Sequence, residues 1–120
     1  MKRTINNWEP EVKSLLDTLT KHGCTIIRGN NGADRFNRAD LSEAEFIENL
    51  IACDEAWLYV AVPALETGGK QRCLYLVLGN APGELVCDYC VDPTLDKVTE
   101  EHYAKWDGKS QPTKEVESNY

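Results

Sequence analysis

Read for the spacing of its apolar positions, the chain divides into helical and strand-like segments. Val12, Leu15, Leu16 and Leu19 recur at helical spacing behind Pro10, which suits a first turn, and Gly23 follows as a stop. Cys24 to Arg28 then reads as a short strand centred on Ile26 and Ile27. A second helix is expected to begin at Ser42. Glu45, three residues on, completes a capping box, Leu41 and Phe46 stand where a hydrophobic staple forms, and Phe46, Ile47, Leu50 and Ile51 make the buried stripe. Ala56 to Val62 alternates, with Trp57 and Tyr59 on one side and Leu58, Val60 and Val62 on the other, until Pro63 ends it. After Asp92 and Pro93, an N-cap and a first turn, Leu95, Val98, His102 and Trp106 share one helical face before Gly108.

The longest strand signal lies between Arg72 and Val91. Two runs, 72–79 and 84–91, flank the turn formers Asn80, Ala81, Pro82 and Gly83 and predict a β-hairpin. A two-residue and a four-residue loop differ by two residues of register, so both place the same side chains on the same face. Leu74, Leu76 and Leu78 with Leu85, Cys87, Tyr89 and Val91 form the face expected to meet a core. Cys73, Tyr75 and Val77 with Val86, Asp88 and Cys90 form the other. The longer loop sets Tyr75 opposite Asp88 and Cys73 opposite Cys90; the shorter sets Tyr75 opposite Cys90.

The resulting order, α-β-α-β-β-β-α, predicts a single α+β domain over residues 1–108. The expected sheet is four-stranded, mixed or antiparallel, packed by three helices, with the C-terminal hairpin 72–91 central to it. The 27 residues between the first two strands are enough for a parallel crossover. Residues 1–8 read as a short lead-in, 64–70 as a mobile connection, and the polar stretch 109–120 as a disordered C-terminal tail.

Charge changes this picture by its location. The net charge is −7, and between Asp40 and Gly69 stand seven acids with no Lys or Arg, while the remainder balances 13 acids against 13 bases. So little basic surface disfavours direct nucleic-acid binding. No apolar signal region follows Lys2 and Arg3, and the longest apolar run, 56–65, is roughly half a membrane span. These features, with five cysteines in an odd set, lead us to expect a cytoplasmic protein with reduced thiols and no membrane association. Cys87 and Cys90 form a C-x-x-C, but residues three apart on a strand point to opposite faces, so neither a metal nor a disulfide would join them. Only two histidines, His22 and His102, are present. No metal site or cofactor is expected, and Cys73 with Cys90 is the better-placed pair for oxidation.

Three constellations could carry function. The acidic helix, through Glu43, Glu45 and Glu48, could dock on a basic protein. The sheet face bearing Trp57, Tyr59, Tyr75 and Asp88 could be a protein interface or a small-ligand pocket, unless a helix of the same chain covers it. The loop 28–40 assembles Arg28, Gly29, Asn30, Asn31, Gly32, Arg35 and Arg38, the parts of an anion site, although the spacing is neither a Walker loop nor a dinucleotide-binding fingerprint. With no catalytic motif in view, the reading leans away from an enzyme. The expectation is a small acidic accessory or inhibitor protein that binds another protein through the acidic helix, the aromatic face or both. The alternative is a binding module, with or without enzymatic activity, for a phosphate, nucleotide or carboxylate held by the loop 28–40. An aromatic face or an unprotected hairpin edge could also support a homodimer.

Overall fold

The apolar stripes read above become the inner faces of three helices. The computed structural model describes residues 2–63, 71–79, 81–109 and 113–117. Helix α1, Glu9–Lys21, carries Pro10 in its first turn and buries Val12, Leu15, Leu16 and Leu19. Helix α2, Glu43–Leu50, buries Phe46, Ile47 and Leu50, and its capping box is complete. The Glu45 N–H donates to Ser42 Oγ at 3.2 Å, and the Ser42 N–H donates to Glu45 Oε1 at 3.2 Å. Helix α3, Pro93–Trp106, is capped by Asp92, whose Oδ1 accepts from the Thr94 N–H at 2.8 Å, and it buries Leu95, Val98 and His102.

The cap is a testable source of stability. Ser42→Ala is expected to cost about 1 kcal/mol at neutral pH, read from the urea midpoint. The Ser42 backbone N–H, then its hydroxyl, holds the Glu45 carboxylate below its ordinary value. A depressed carboxylate contributes stability above its unfolded-state value and loses it as pH falls through the folded one. Glu45→Gln should therefore remove that part of the acid dependence, and an unchanged acid limb would refute it.

Among the described residues seven strands accompany the helices: β1 (Lys2–Asn6), β2 (Thr25–Asn30), β3 (Arg35–Asn37), β4 (Glu55–Ala61), β5 (Gln71–Val77), β6 (Val86–Tyr89) and β7 (Thr113–Glu117). Strands β2 to β6 form one antiparallel sheet in the order β3-β2-β4-β5-β6, and β1 pairs antiparallel with β7 as a separate ribbon. The α+β class and the three helices match the reading of the sequence; the strand count and arrangement do not. Five strands replace the expected four, because Arg35-Phe36-Asn37, inside the supposed loop, folds back on β2. The hairpin is not central: β4 occupies the middle and β6 the edge. A parallel crossover is also absent, since β3 runs back along the last three residues of β2 and β4 pairs antiparallel with β2. Over 113–117 the polar tail is a strand rather than disordered, its backbone bonds supplied by β1, whose polar sequence signals no strand either. The expected connection 64–70 and turn residue Asn80 lie outside the described residues.

All three helices cover one face of the sheet. Their buried side chains form a single cluster with Ala56, Leu58 and Val60 of β4, Leu74 and Leu76 of β5, and Leu78 and Leu85. The β5–β6 pairing follows the four-residue-loop register at Tyr75↔Asp88, and the Cys90 N–H donates to the Cys73 carbonyl at 3.2 Å. Beyond Tyr75 a bulge intervenes, so that Leu76 faces Val86 rather than Cys87. An extra residue rotates the strand. Val86 therefore packs on the core and Cys87, expected inside, is exposed; Val91, also expected inside, is exposed because it lies beyond the end of β6.

Candidate functional site

Strand alternation decides which side chains leave the core. Because the helices occupy one face, the other face of the five strands carries two rows of aligned residues. One row crosses all five strands as Arg35, Asn30, Trp57, Tyr75 and Asp88. The next runs Asn37, Arg28, Tyr59 and Cys73, and at the edge the Cys90 N–H donates to the Cys73 carbonyl. Both rows begin with cationic and amide groups on β3 and β2 and pass through an aromatic ring on β4, which the first row follows with Tyr75 and the second with Cys73 on β5. The first ends on a carboxylate. Among the described residues no helix packs over this face, and Trp57, Tyr59 and Tyr75 are half-buried.

The rings are fixed by their neighbours. Trp57 and Tyr75 stack with centroids 5.4 Å apart and planes 27° from parallel. The Tyr75 hydroxyl donates to Glu55 Oε2, and that bond, ahead of burial, raises the phenol above its ordinary range. Arg28 lies over the Tyr59 ring, 4.4 Å from its centroid. Cation–π contact and stacking each favour one placement of flat groups on a flat surface. Beside Arg28 is a hollow of about 200 Å³ lined by Arg28, Gly29, Asn30, Arg35 and Tyr59. A second, of about 240 Å³, is lined by Cys73, Tyr75, Asp88, Tyr89 and Cys90.

Comparison of the chain with known families, curated proteins and solved structures finds no match. Function is therefore read from these residues alone.

The structure divides the anion loop. Arg28, Gly29, Asn30 and Arg35 come together around one hollow, whereas Arg38 turns away and donates to the Leu41 carbonyl at 2.8 Å. Asn31 is a buried turn residue: its Oδ1 accepts from the Ala33 and Asp34 amides at 3.0 and 2.8 Å, and its Nδ2 donates to the Asn49 carbonyl. Gly32, at φ +90°, closes this turn in a conformation that favours glycine, and its N–H donates to Asn30 Oδ1 at 2.8 Å. The turn amides are thus internally satisfied and form no backbone cradle. Any anion would be held by side chains.

The acidic helix is also less free than its composition suggests. Glu43 accepts from Lys13 Nζ at 2.8 Å, and Glu45 is engaged in the cap. Glu48 lies with Glu43, Lys13 and Ile47 along a hollow of about 580 Å³ between α1 and α2. Among the described residues no helix is long and apolar enough to cross a membrane, and no three His, Cys, Asp or Glu side chains are grouped to hold a metal.

Sequence reasoning missed one constellation. Glu11 Oε2 and His102 Nε2 lie 2.9 Å apart between α1 and α3, with both side chains about 1% exposed or less. His102 stacks on Trp106, whose Nε1 donates to Ser14 Oγ at 3.1 Å. Such a pair resembles part of a catalytic dyad; both side chains are buried, and His102 also lines a hollow of about 290 Å³ together with Val86, Thr99 and Tyr103. The available signal was Glu11 itself, which falls one turn before Leu15 on the stripe that α1 buries.

Proposed function

We propose that the protein acts by binding another protein through the uncovered face of its sheet. The observation that carries this reading is the row Arg35, Asn30, Trp57, Tyr75 and Asp88, which places stacked aromatic rings between a cationic and an anionic end. Trp, Tyr and Arg are the residues in which interface energy concentrates, and rings already held in place lose little entropy on docking. The charge order defines the partner's chemistry. A complementary surface brings an apolar or aromatic ridge to Trp57 and Tyr75, acids to Arg28 and Arg35, and a base to Asp88. The acidic helix takes second place, because two of its three carboxylates have internal roles.

Partner capture with matched variants tests this reading. Trp57→Ala is expected to weaken a captured partner by about 2 kcal/mol, roughly thirtyfold, with the circular dichroism spectrum retained. Glu48→Lys, which disturbs no cap or ion pair among the described residues, is expected to leave capture unchanged. Loss on Glu48→Lys with retention on Trp57→Ala would move the interface to the acidic helix.

A further inference from the structure

We infer that the hollow at the β2–β3 end of the sheet is a binding site for the phosphate of a small phosphomonoester, held by Arg28, Arg35, Asn30 and Tyr59. Four observations meet there. Arg28 and Arg35 are diagonal neighbours on one face, since Arg28 pairs with Asn37 and Asn30 with Arg35, which brings both guanidinium groups to one hollow. Among the described residues neither has a carboxylate within 4.0 Å, although acids outnumber bases in the chain by 20 to 13. Asn30 is oriented by the Gly32 N–H on its Oδ1, so its remaining polar atom, Nδ2, can only donate. Tyr59 lines the hollow with its ring under Arg28, and no acidic side chain lines it.

A wall made of donors and two positive charges selects an oxyanion. Charge then selects among oxyanions. A phosphomonoester carries close to two negative charges at neutral pH, about matching two guanidinium groups, whereas a carboxylate or a phosphodiester carries one and leaves a cation uncompensated. A hollow of about 200 Å³ has room for the phosphate and the first atoms of its ester but not for a large molecule. This site stands on hydrogen-bond donors and charge, and would exist whether or not the aromatic face docks a protein.

The test is titration of the ¹⁵N-labelled full chain with phenyl phosphate at constant ionic strength, observing the arginine Nε–H and asparagine side-chain signals. We expect saturable shifts at Arg28, Arg35 and Asn30 with half-saturation at about 1 mM or below. Inorganic phosphate should act at the same signals, and acetate at least about tenfold more weakly. Arg35→Gln, at an exposed position, should abolish saturation while the backbone amide spectrum stays dispersed. Absence of saturable shifts, equal binding of acetate, or saturation that survives both Arg35→Gln and Arg28→Gln would overturn the assignment. Tighter binding of a single-stranded oligonucleotide at the same signals would overturn it in favour of a nucleic-acid strand.

Discussion

His102→Ala is expected to lower stability by about 3–5 kcal/mol, the largest loss from any single polar substitution in this chain. Glu11 is completely buried, and its Oε2 has His102 Nε2 as its partner at 2.9 Å. Removing the imidazole leaves a buried carboxyl group without that partner, and also removes the ring on which Trp106 stacks. The pair is itself incompletely satisfied, since Glu11 Oε1 and His102 Nδ1 have no hydrogen-bond partner among the described residues. An apolar pair of similar volume gives up the 2.9 Å contact but also both orphaned atoms. Glu11→Leu combined with His102→Phe should therefore unfold at a higher urea concentration than either Glu11→Ala or His102→Ala. Urea unfolding of the four proteins, with m-values compared, checks both statements. A loss below about 1 kcal/mol for His102→Ala would show that the α1–α3 contact does not depend on the pair.

The second large effect belongs to Gly29, where Ala is expected to cost about 1–3 kcal/mol through overpacking. A Cβ at this position would meet the Phe36 ring at 2.5 and 2.7 Å and Leu50 Cδ2 at 2.9 Å. Leu50 is fully buried in the core, and Phe36 packs edge-on against Phe46 at 5.2 Å, so neither can simply swing into solvent. Phe36 faces Gly29 in the β2–β3 register, and β3 is only three residues long. Displacing that ring should release β3 and with it Arg35. Gly29→Ala is therefore expected to speed amide exchange at 35–37 and to weaken the phosphate response of the neighbouring hollow, although no ligand contact is changed. Unaltered exchange there would show that Phe36 adjusts without moving its strand.

The two positions differ in how well the sequence announces them. A glycine between Arg28 and Asn30 reads as loop chemistry, because the ring that requires it to lack a side chain arrives seven residues later on a strand too short to show a period. Glu11 reads as a polar residue at the beginning of a helix, with two acids in the first turn of α1 giving that placement an ordinary electrostatic reason. Only the approach of α3, 91 positions away in sequence, shows why the carboxylate is inside.

The chain's local chemistry determined the three helices, their caps at Ser42 and Asp92, and the strands over 55–61 and 71–77. It also determined which of their side chains share a face. Periodicity and capping are interactions among residues a few positions apart, so they are present in the sequence as such. Tertiary structure alone decided that β4 rather than the hairpin occupies the centre, that the tail pairs with β1, and that a bulge exchanges Val86 for Cys87 at the core. It also divided the arginines, uniting Arg28 with Arg35 around the hollow at the β2–β3 end of the sheet and sending Arg38 to the Leu41 carbonyl. These outcomes depend on which distant backbone supplies the missing hydrogen bonds and which distant side chain fills a space. The sequence names the participants in such contacts, but their partners are set by the packing of the whole chain.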